Sequence, residues 1–193
     1  MGRGLLDLEK HFAFYGAYHS NPVNVLIHML FVWPIFFTTL ILLDFTPPLL
    51  HLPFLGGVDL NLSFFFSIVY ALFYVSLDGK AGSLAALLCL LCWIGGHFLA
   101  ARLGFSLAWK VVLAAQLFCW TVMFIGHGVF EKRAPALLDN LSQALIMAPF
   151  FVLLEALQSF TGYEPYPGFH ASVSSKIEKD RKQWQAGKQK KSS

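Results

Sequence analysis

The chain has 193 residues, of which 56% are hydrophobic, 16% aromatic and 13% charged, and its net charge is +3. Soluble domains carry about 25% charged residues, and twenty Phe side chains with a mean hydropathy of +0.60 exceed what one small soluble core can bury. A soluble enzyme, a disordered chain and a secreted disulfide scaffold are therefore disfavoured, and the composition indicates an integral membrane protein.

Five apolar segments can be compared with the roughly 20 residues that a membrane-spanning helix needs. They cover residues 25–43, 60–77, 81–101, 111–130 and 136–160. Turn-forming or charged residues separate the first four segments: Pro47, Pro48, Pro53 and Gly56-Gly57, then Asp78-Gly79-Lys80, then Arg102. These four segments are long enough and apolar enough to be predicted as spanning helices.

The fifth segment is less apolar than the others, since it contains Asp139, Asn140, Gln143, Pro149 and Glu155. Such a segment can cross the bilayer with a kink or lie partly in its interface. We predict an all-α polytopic membrane helix bundle with four spanning helices, in which the fifth segment is re-entrant or interfacial.

Charge is distributed unevenly along the chain. Residues 1–170 have a net charge of −2, whereas residues 171–193 have a net charge of +5. Because no basic stripe crosses the apolar part, nucleic acid is not expected as a partner. The distribution predicts an integral membrane domain over residues 1–170 and a polar, partly disordered basic tail over residues 171–193.

The tail ends in Lys190-Lys191-Ser192-Ser193, which matches the dilysine retrieval signal of endoplasmic reticulum membrane proteins. A cytosolic receptor reads that signal. It therefore predicts a protein of the endoplasmic reticulum membrane whose carboxyl terminus lies in the cytosol. Arg3 and Lys10 favour a cytosolic amino terminus too. Both ends can be cytosolic only if an even number of segments crosses, which favours four spans. If all five segments cross, the amino terminus is lumenal instead.

Histidines are the main candidates for chemistry, because an ionisable group within a membrane segment is a functional candidate by default. The chain has seven: His11, His19, His28, His51, His97, His127 and His170. None forms an HxxH, HxxxH or HExxH pattern, which argues against histidine-box diiron enzymes and zinc peptidases. A metal site would have to gather single ligands from several helices.

Two constellations stand out. In the first, Asn21 is a good helix cap before Pro22, and His28 shares a helix face with Asn24 four residues earlier. His19 directly precedes the cap and could fold over that face. A metal-ligand role for His19 and His28 stands against solvated or helix-bonding roles.

The second constellation surrounds His127, which lies between two glycines and four residues before Glu131. Gln116 and Trp120 precede it on roughly the same stripe. Two histidines and one carboxylate with open positions suit non-haem Fe(II). Glu131 could be a ligand, a support for a ligand, or merely a charge at the membrane edge.

The other histidines are weaker candidates. His97 follows Gly95-Gly96, much as His127 follows Gly126, but in an up-and-down bundle it lies at the opposite end from His28 and His127. His11, His51 and His170 are expected in the interface.

Two blocks of sequence then point to a family. The first comprises Gly4-Leu5-Leu6-Asp7-Leu8, Phe14-Tyr15, Tyr18-His19-Ser20-Asn21-Pro22-Val23-Asn24 and Ile27-His28. The second comprises Phe124-Ile125-Gly126-His127-Gly128 and Phe130-Glu131-Lys132-Arg133-Ala134-Pro135-Ala136-Leu137. Over about residues 1–170 the chain resembles the 2-hydroxy-fatty-acid dioxygenases of fungal and plant endoplasmic reticulum.

This resemblance implies an Fe(II)-dependent α-oxidation, in which a 2-hydroxy fatty acid and O2 give CO2 and the acid one carbon shorter, in phytosphingosine breakdown. The matching motifs carry over His19, His28 and His127 as metal ligands, and His97 is added to them. Asn24, Gln116 and Glu131 would orient these ligands. The acyl chain would lie among the Phe-rich helices. Membrane lipid is expected as a further partner of the protein.

Two other functions remain open at this point. A four-helix membrane haem protein could use paired histidines as axial ligands for electron transfer. A lipid-binding protein without enzymatic activity would use its histidines only for internal polar contacts. The sequence does not indicate a protein partner.

Overall fold

The computed structural model of the protein describes residues 4–52 and 58–192, and within these the chain is almost entirely helical. We label the helices α1 (Leu8–Tyr18), α2 (Pro22–Leu43), α3 (Leu62–Leu77), α4 (Gly79–Ile125), α5 (Leu141–Thr161) and α6 (Phe169–Ser192). Two short antiparallel strands, β1 (Leu50–Leu52) and β2 (Val58–Leu60), join α2 to α3. Gly4–Leu6 and Ala136–Leu138 are 3-10 turns, and Gly126–Glu131 form a π-helix.

The expected all-α architecture is thus confirmed. Of the predicted chain breaks, Pro53 and Gly56-Gly57 lie outside the described residues. The side chains of Gln143, Lys190 and Lys191 also lie outside the described part of the chain.

Helix α2 begins as its sequence predicts. The Asn21 side chain accepts a 3.0 Å hydrogen bond from the Val23 amide, and Pro22 occupies the first turn, where its missing N–H has no consequence. The 22 residues of α2 span about 33 Å at 1.5 Å per residue, which is enough to cross a bilayer.

The end of α2 is tied to the start of α3. The Asn61 side chain donates to the Asp44 carbonyl oxygen at 2.8 Å and accepts from the Ser63 amide, so that one residue caps α3 and holds it against α2. Helix α3 therefore returns along the bundle in the opposite direction to α2.

Helix α4 contains two of the predicted spans, and the connection between them is shorter than expected. The sequence places a break between residues 101 and 111, but only Gly104 leaves helical geometry, with φ 64° and ψ 159°. Such a left-handed φ is open to glycine at no steric cost. Beyond it the chain returns along α2, since Phe105 lies 5.4 Å from Phe45 and Phe118 lies 5.6 Å from Phe31, centroid to centroid.

Among the described residues, Pro22–Leu43 and Gly79–Glu131 are long and apolar enough to cross a membrane, and α3 is a shorter apolar helix. Because Gly104 divides the second stretch, the bundle has four apolar passes. Helix α5 packs against one end of these four passes. The Tyr74 hydroxyl, near the end of α3, donates to the Ile146 carbonyl of α5 at 2.9 Å, and the hydroxyl of Tyr163, just after α5, donates to Asp78 at 2.7 Å.

The basic tail differs from the expectation of partial disorder, because its described residues form α6. Phe169 and Val173 are buried, and Ile177 faces Gly16 of α1 so closely that a methyl group there would meet it. An ion pair of 2.7 Å joins Lys176 to Glu9. The predicted boundary at residue 170 falls inside this helix, which packs on α1 at the same end of the bundle as α5.

Candidate metal centre

Three histidines from distant parts of the sequence meet at this end of the bundle. His19 follows α1, His28 lies on α2 and His127 lies in the π-helix, and one nitrogen of each lies within 4.8 Å of the other two. Their ring centroids are 4.3 to 4.9 Å apart, and all three side chains are buried. The structure therefore brings together three of the four predicted metal ligands.

Backbone hydrogen bonds fix the orientation of two of these rings. His19 Nδ1 lies 2.8 Å from the Tyr15 carbonyl oxygen, and His28 Nδ1 lies 2.8 Å from the Asn24 carbonyl oxygen. A carbonyl oxygen only accepts, so each Nδ1 must carry the proton and each Nε2 keeps its lone pair. This arrangement is typical of histidines that bind metal through the second nitrogen.

His127 reaches the centre from a π-helix, a form of backbone that is rare and frequent at functional sites. The preceding Gly126 makes this approach possible, because a Cβ at that position would lie 2.5 Å from the Asn24 Oδ1 atom. Two ring nitrogens of the cluster, His19 Nε2 and His127 Nδ1, are buried without a hydrogen-bond partner among the described residues.

The electrostatics of the cluster favour neutral imidazoles. Burial lowers the pKa of His19 well below its ordinary value, and the neighbouring His28 and His127 lower it further. Neutral imidazole is the form that binds metal, and imidazole ligands suit iron, zinc, copper and nickel. The orphaned nitrogens and the fixed tautomers fit a metal ion, although these ligands by themselves do not specify which one.

Glu131 lies beside the cluster and is not among the three residues whose ligand atoms lie within 4.8 Å of one another. Its Oε2 atom accepts hydrogen bonds from the Ser20 amide at 3.0 Å, the Asn21 amide at 2.9 Å and the Asn24 side chain at 3.3 Å. Of the three roles considered for Glu131, the contacts correspond to support for the ligands. Asn24 is fully buried beside it and orients His28 through its carbonyl oxygen rather than through its side chain.

Two predicted site residues are not brought to the centre. His97 lies at the opposite end of the bundle, where its half-exposed ring is 3.1 Å from Asp44, as the up-and-down arrangement predicts. Gln116 donates to the Ile35 carbonyl and to the hydroxyls of Thr38 and Thr39, and accepts from Trp120. These contacts join α2 to α4 and include none of the three histidines, so the structure brings neither His97 nor Gln116 to the cluster.

The remaining histidines, His11, His51 and His170, also lie outside the cluster. The ring of His11 contacts the Gly4 carbonyl oxygen at 3.0 Å, and that of His170 contacts Ser174 at 3.1 Å.

An apolar cavity of about 260 Å3 opens from the three histidines into the bundle. One face of α2 lines it from His28 through Val32 and Phe36 to Thr39, a distance of about 16 Å at 1.5 Å per residue. Aromatic side chains from α3, α4 and α5 line the other walls: Phe66, Trp120, Phe124 and Phe151. A largely apolar cavity with the three histidines at one end suits a long apolar chain with a polar head.

Sequence reasoning missed Tyr15, which lines this cavity and stacks on His19 with 4.1 Å between ring centroids. The available signal is its spacing, because Tyr15 precedes His19 by four residues and therefore shares its side of α1. Arg133 was also missed. It lies 3.7 Å from the centre of the Tyr18 ring and pairs with Asp180 of α6 at 2.9 Å.

Comparisons with known proteins identify what this chain resembles. The model of the family described as "2-hydroxy-palmitic acid dioxygenase Mpo1-like" matches residues 5–160. The 2-hydroxy-palmitic acid dioxygenase MPO1 of Saccharomyces cerevisiae is 41% identical over 159 residues, which cover 81% of this chain and 83% of the yeast protein. No solved structure matches the chain. All three clustered histidines lie within the range matched by the family.

Proposed function

The chain belongs to the 2-hydroxy-palmitic acid dioxygenase Mpo1-like family, and on this basis we propose that it is an enzyme that oxidises 2-hydroxy fatty acids with O2. The reaction converts one 2-hydroxy acid and one O2 into the acid one carbon shorter, CO2 and water. The substrate loses four electrons and O2 accepts four, so that the balance requires no reductase and no second organic substrate. Phytosphingosine breakdown, which yields such acids, is the process that it would serve.

The observation that carries this proposal is the cluster of three buried histidines with their nitrogens within 4.8 Å. We assign His19, His28 and His127 as the residues that hold Fe(II), with Glu131 and Asn24 as the residues that position them. Bound Fe(II) would supply the one-electron chemistry through which O2 reacts with an organic acid. The protein contributes neutral imidazoles in fixed orientations and surroundings from which water is largely excluded.

The cavity supports a long-chain substrate. Its apolar walls would bind the acyl chain with about 0.8 kcal/mol for each buried methylene. The carboxylate and the 2-hydroxyl group would lie at the histidine end, because the rest of the lining offers them few polar partners. In this orientation the carbon that is oxidised would lie beside the metal ligands.

A membrane location supports the same function, because long-chain acids partition into lipid. Large apolar side chains are exposed along the passes, Leu30, Leu72, Leu91 and Phe118 among them, and a surface of this kind suits contact with lipid. We propose that residues 1–170 form a multi-pass catalytic domain in the endoplasmic reticulum membrane and that residues 171–193 lie on its cytosolic side.

Metal analysis combined with O2 uptake on 2-hydroxypalmitate tests this function. The purified full chain should contain about one iron for each three-histidine cluster and should consume O2 only with the 2-hydroxy acid. His19→Ala, His28→Ala and His127→Ala should each lose the iron and the O2 uptake. His97→Ala is the matched control, because it removes a histidine of the same bundle outside the cluster, and it should retain both.

Three results would overturn the proposal. Full O2 uptake in all three cluster variants would exclude the histidines from the reaction. A Soret absorption band in the purified protein would instead indicate a haem protein, and the absence of both metal and turnover would favour a lipid-binding protein.

A further inference from the structure

The hydroxyl group of Tyr15 is a buried polar group for which the metal centre gives no explanation. Tyr15 is 5% exposed, and its hydroxyl oxygen has no hydrogen-bond partner among the described residues. A buried hydroxyl without a partner costs a folded protein free energy, and nearly all such groups are paired. An orphan of this kind therefore points to a partner that is bound from outside the chain.

The surroundings of Tyr15 restrict where that partner can lie. Its ring packs against His19 at 4.1 Å and against Phe151 at 5.4 Å, centroid to centroid. No group of the described residues forms a hydrogen bond with the hydroxyl, although the carboxylates of Glu155 and Glu131 are close enough to act on it electrostatically. Tyr15 also lines the apolar cavity at the end where the three histidines meet, so the cavity is the space in which a partner can reach it.

The other polar side chains that line this cavity already have partners within the protein. The Tyr70 hydroxyl donates to the Leu145 carbonyl at 3.3 Å, and the Thr39 hydroxyl donates to the Ile35 carbonyl at 2.8 Å. The Trp120 indole N–H donates to Gln116 at 3.0 Å. Among the described residues, the unused hydrogen-bonding capacity of the cavity is therefore concentrated at the histidine cluster and at Tyr15.

A phenol donates one hydrogen bond, and a carboxylate is an acceptor that forms strong, charge-assisted bonds in a site shielded from water. We infer that the Tyr15 hydroxyl donates a hydrogen bond to the carboxylate of the bound 2-hydroxy fatty acid, an inference that rests on the proposed function. Tyr15 is then a substrate-binding residue, which holds the acid group beside the histidines while the acyl chain fills the cavity.

Equilibrium binding under anaerobic conditions tests this role, because without O2 the substrate is bound and not consumed. With the iron-loaded full chain, Tyr15→Phe should weaken binding of 2-hydroxypalmitate by about tenfold to a hundredfold, the range for a hydrogen bond to a charged group. Binding of 1,2-hexadecanediol, which has the 2-hydroxyl group but no carboxylate, should change by less than about threefold. Iron content should stay equal to that of the unmodified chain.

Tyr74→Phe is the matched control. Tyr74 is also fully buried, but its hydroxyl already donates to a backbone carbonyl and it does not line the cavity. This variant removes a hydroxyl of the same kind and should bind 2-hydroxypalmitate as the unmodified chain does.

Three results would overturn the assignment of Tyr15. Unchanged binding of the acid would remove its role, and equal weakening of acid and diol would show that the carboxylate is not its partner. Loss of iron in Tyr15→Phe would show that the residue acts through His19. If the unmodified chain oxidises 2-hydroxypalmitate, any of these results refutes the inference alone, whereas an unmodified chain without that activity refutes the proposed function and the inference with it.

Discussion

The carboxylate of Glu131 accepts a 2.9 Å hydrogen bond from the backbone amide of Asn21, across 110 residues of sequence. The same oxygen accepts from the amide of Ser20, so it holds the short joint between α1 and α2. His19 precedes this joint and His28 follows it, while His127 lies on the same π-helix as Glu131. One carboxylate therefore links the two segments of the chain that carry the three histidines.

Glu131→Ala is expected to destabilise the folded protein and to weaken its metal binding. The substitution leaves two backbone amides and the Asn24 side chain without their acceptor, at a cost of about 3 kcal/mol in the free energy of unfolding. Thermal unfolding in detergent and iron titration measure the two effects. Glu178→Ala is the control, because Glu178 is exposed on α6, and iron affinity equal in both variants would contradict this role.

Gly126→Ala is expected to disturb the centre by steric overlap alone. The added methyl group would lie 2.5 Å from Asn24 Oδ1, and the π-helix must move to relieve this contact, at about 1–3 kcal/mol. Gly128→Ala adds the same methyl group two residues later with no atom within 4 Å. Iron content should fall in the first variant and stay unchanged in the second, and equal iron content in both would contradict the prediction.

Arg133→Ala is expected to release α6 from α1. The guanidinium lies between the rings of Tyr18 and Trp184 at 3.7 and 5.3 Å, and it donates to the Ala17 carbonyl and to Asp180. Loss of these contacts should cost about 2 kcal/mol and should speed protease cleavage within α6. Arg181→Ala, on the exposed side of the same helix, should leave the cleavage rate unchanged, and a slow rate in both variants would refute the prediction.

The contact between α1 and α6 is expected to weaken in acid. Hydrogen bonds from Lys176, Ser172 and Tyr166 lower the pKa of Glu9 from 4.5 to about 2. Between these values the unfolded chain binds the proton more readily, so the stabilisation is complete above pH 4.5 and is lost as the pH falls toward 2. The protection of α6 amides from exchange, measured relative to the intrinsic exchange rate at each pH, should therefore fall over this range.

Glu9→Gln provides the comparison for this pH dependence. Glutamine keeps the shape of the side chain but does not titrate, so amide exchange of α6 should be faster than in the unmodified chain above pH 5 and should depend less on pH below it. The same pH dependence in both proteins would assign the effect to other carboxylates.

Local sequence patterns predicted much of the fold and the three histidines of the centre. The cap at Asn21, the apolar segments and the glycines around His127 can each be recognised from a short stretch of neighbouring residues. The position of His97 at the opposite end also follows from counting the passes. These features depend on chain direction and helix geometry, which sequence spacing describes well.

The features that the sequence did not predict depend on contacts between distant residues. The single-residue turn at Gly104 looks in sequence like one glycine among many apolar residues. Gln116 was expected beside the histidines because it shares a stripe with His127, yet Thr38 and Thr39 of α2 provide its partners. Tyr15 became a candidate only when its hydroxyl was found buried without a partner.

The separation of the three histidines along the chain has a consequence for biosynthesis. The ribosome synthesises His19 and His28 early, but the third imidazole follows about a hundred residues later, after α2, α3 and both halves of α4. Long-range contacts of this kind form late, because the intervening chain must be ordered first. A nascent chain that stops before Gly126 therefore holds an incomplete ligand set, so that capture of a metal by this cluster would wait until α2, α3 and α4 have been synthesised.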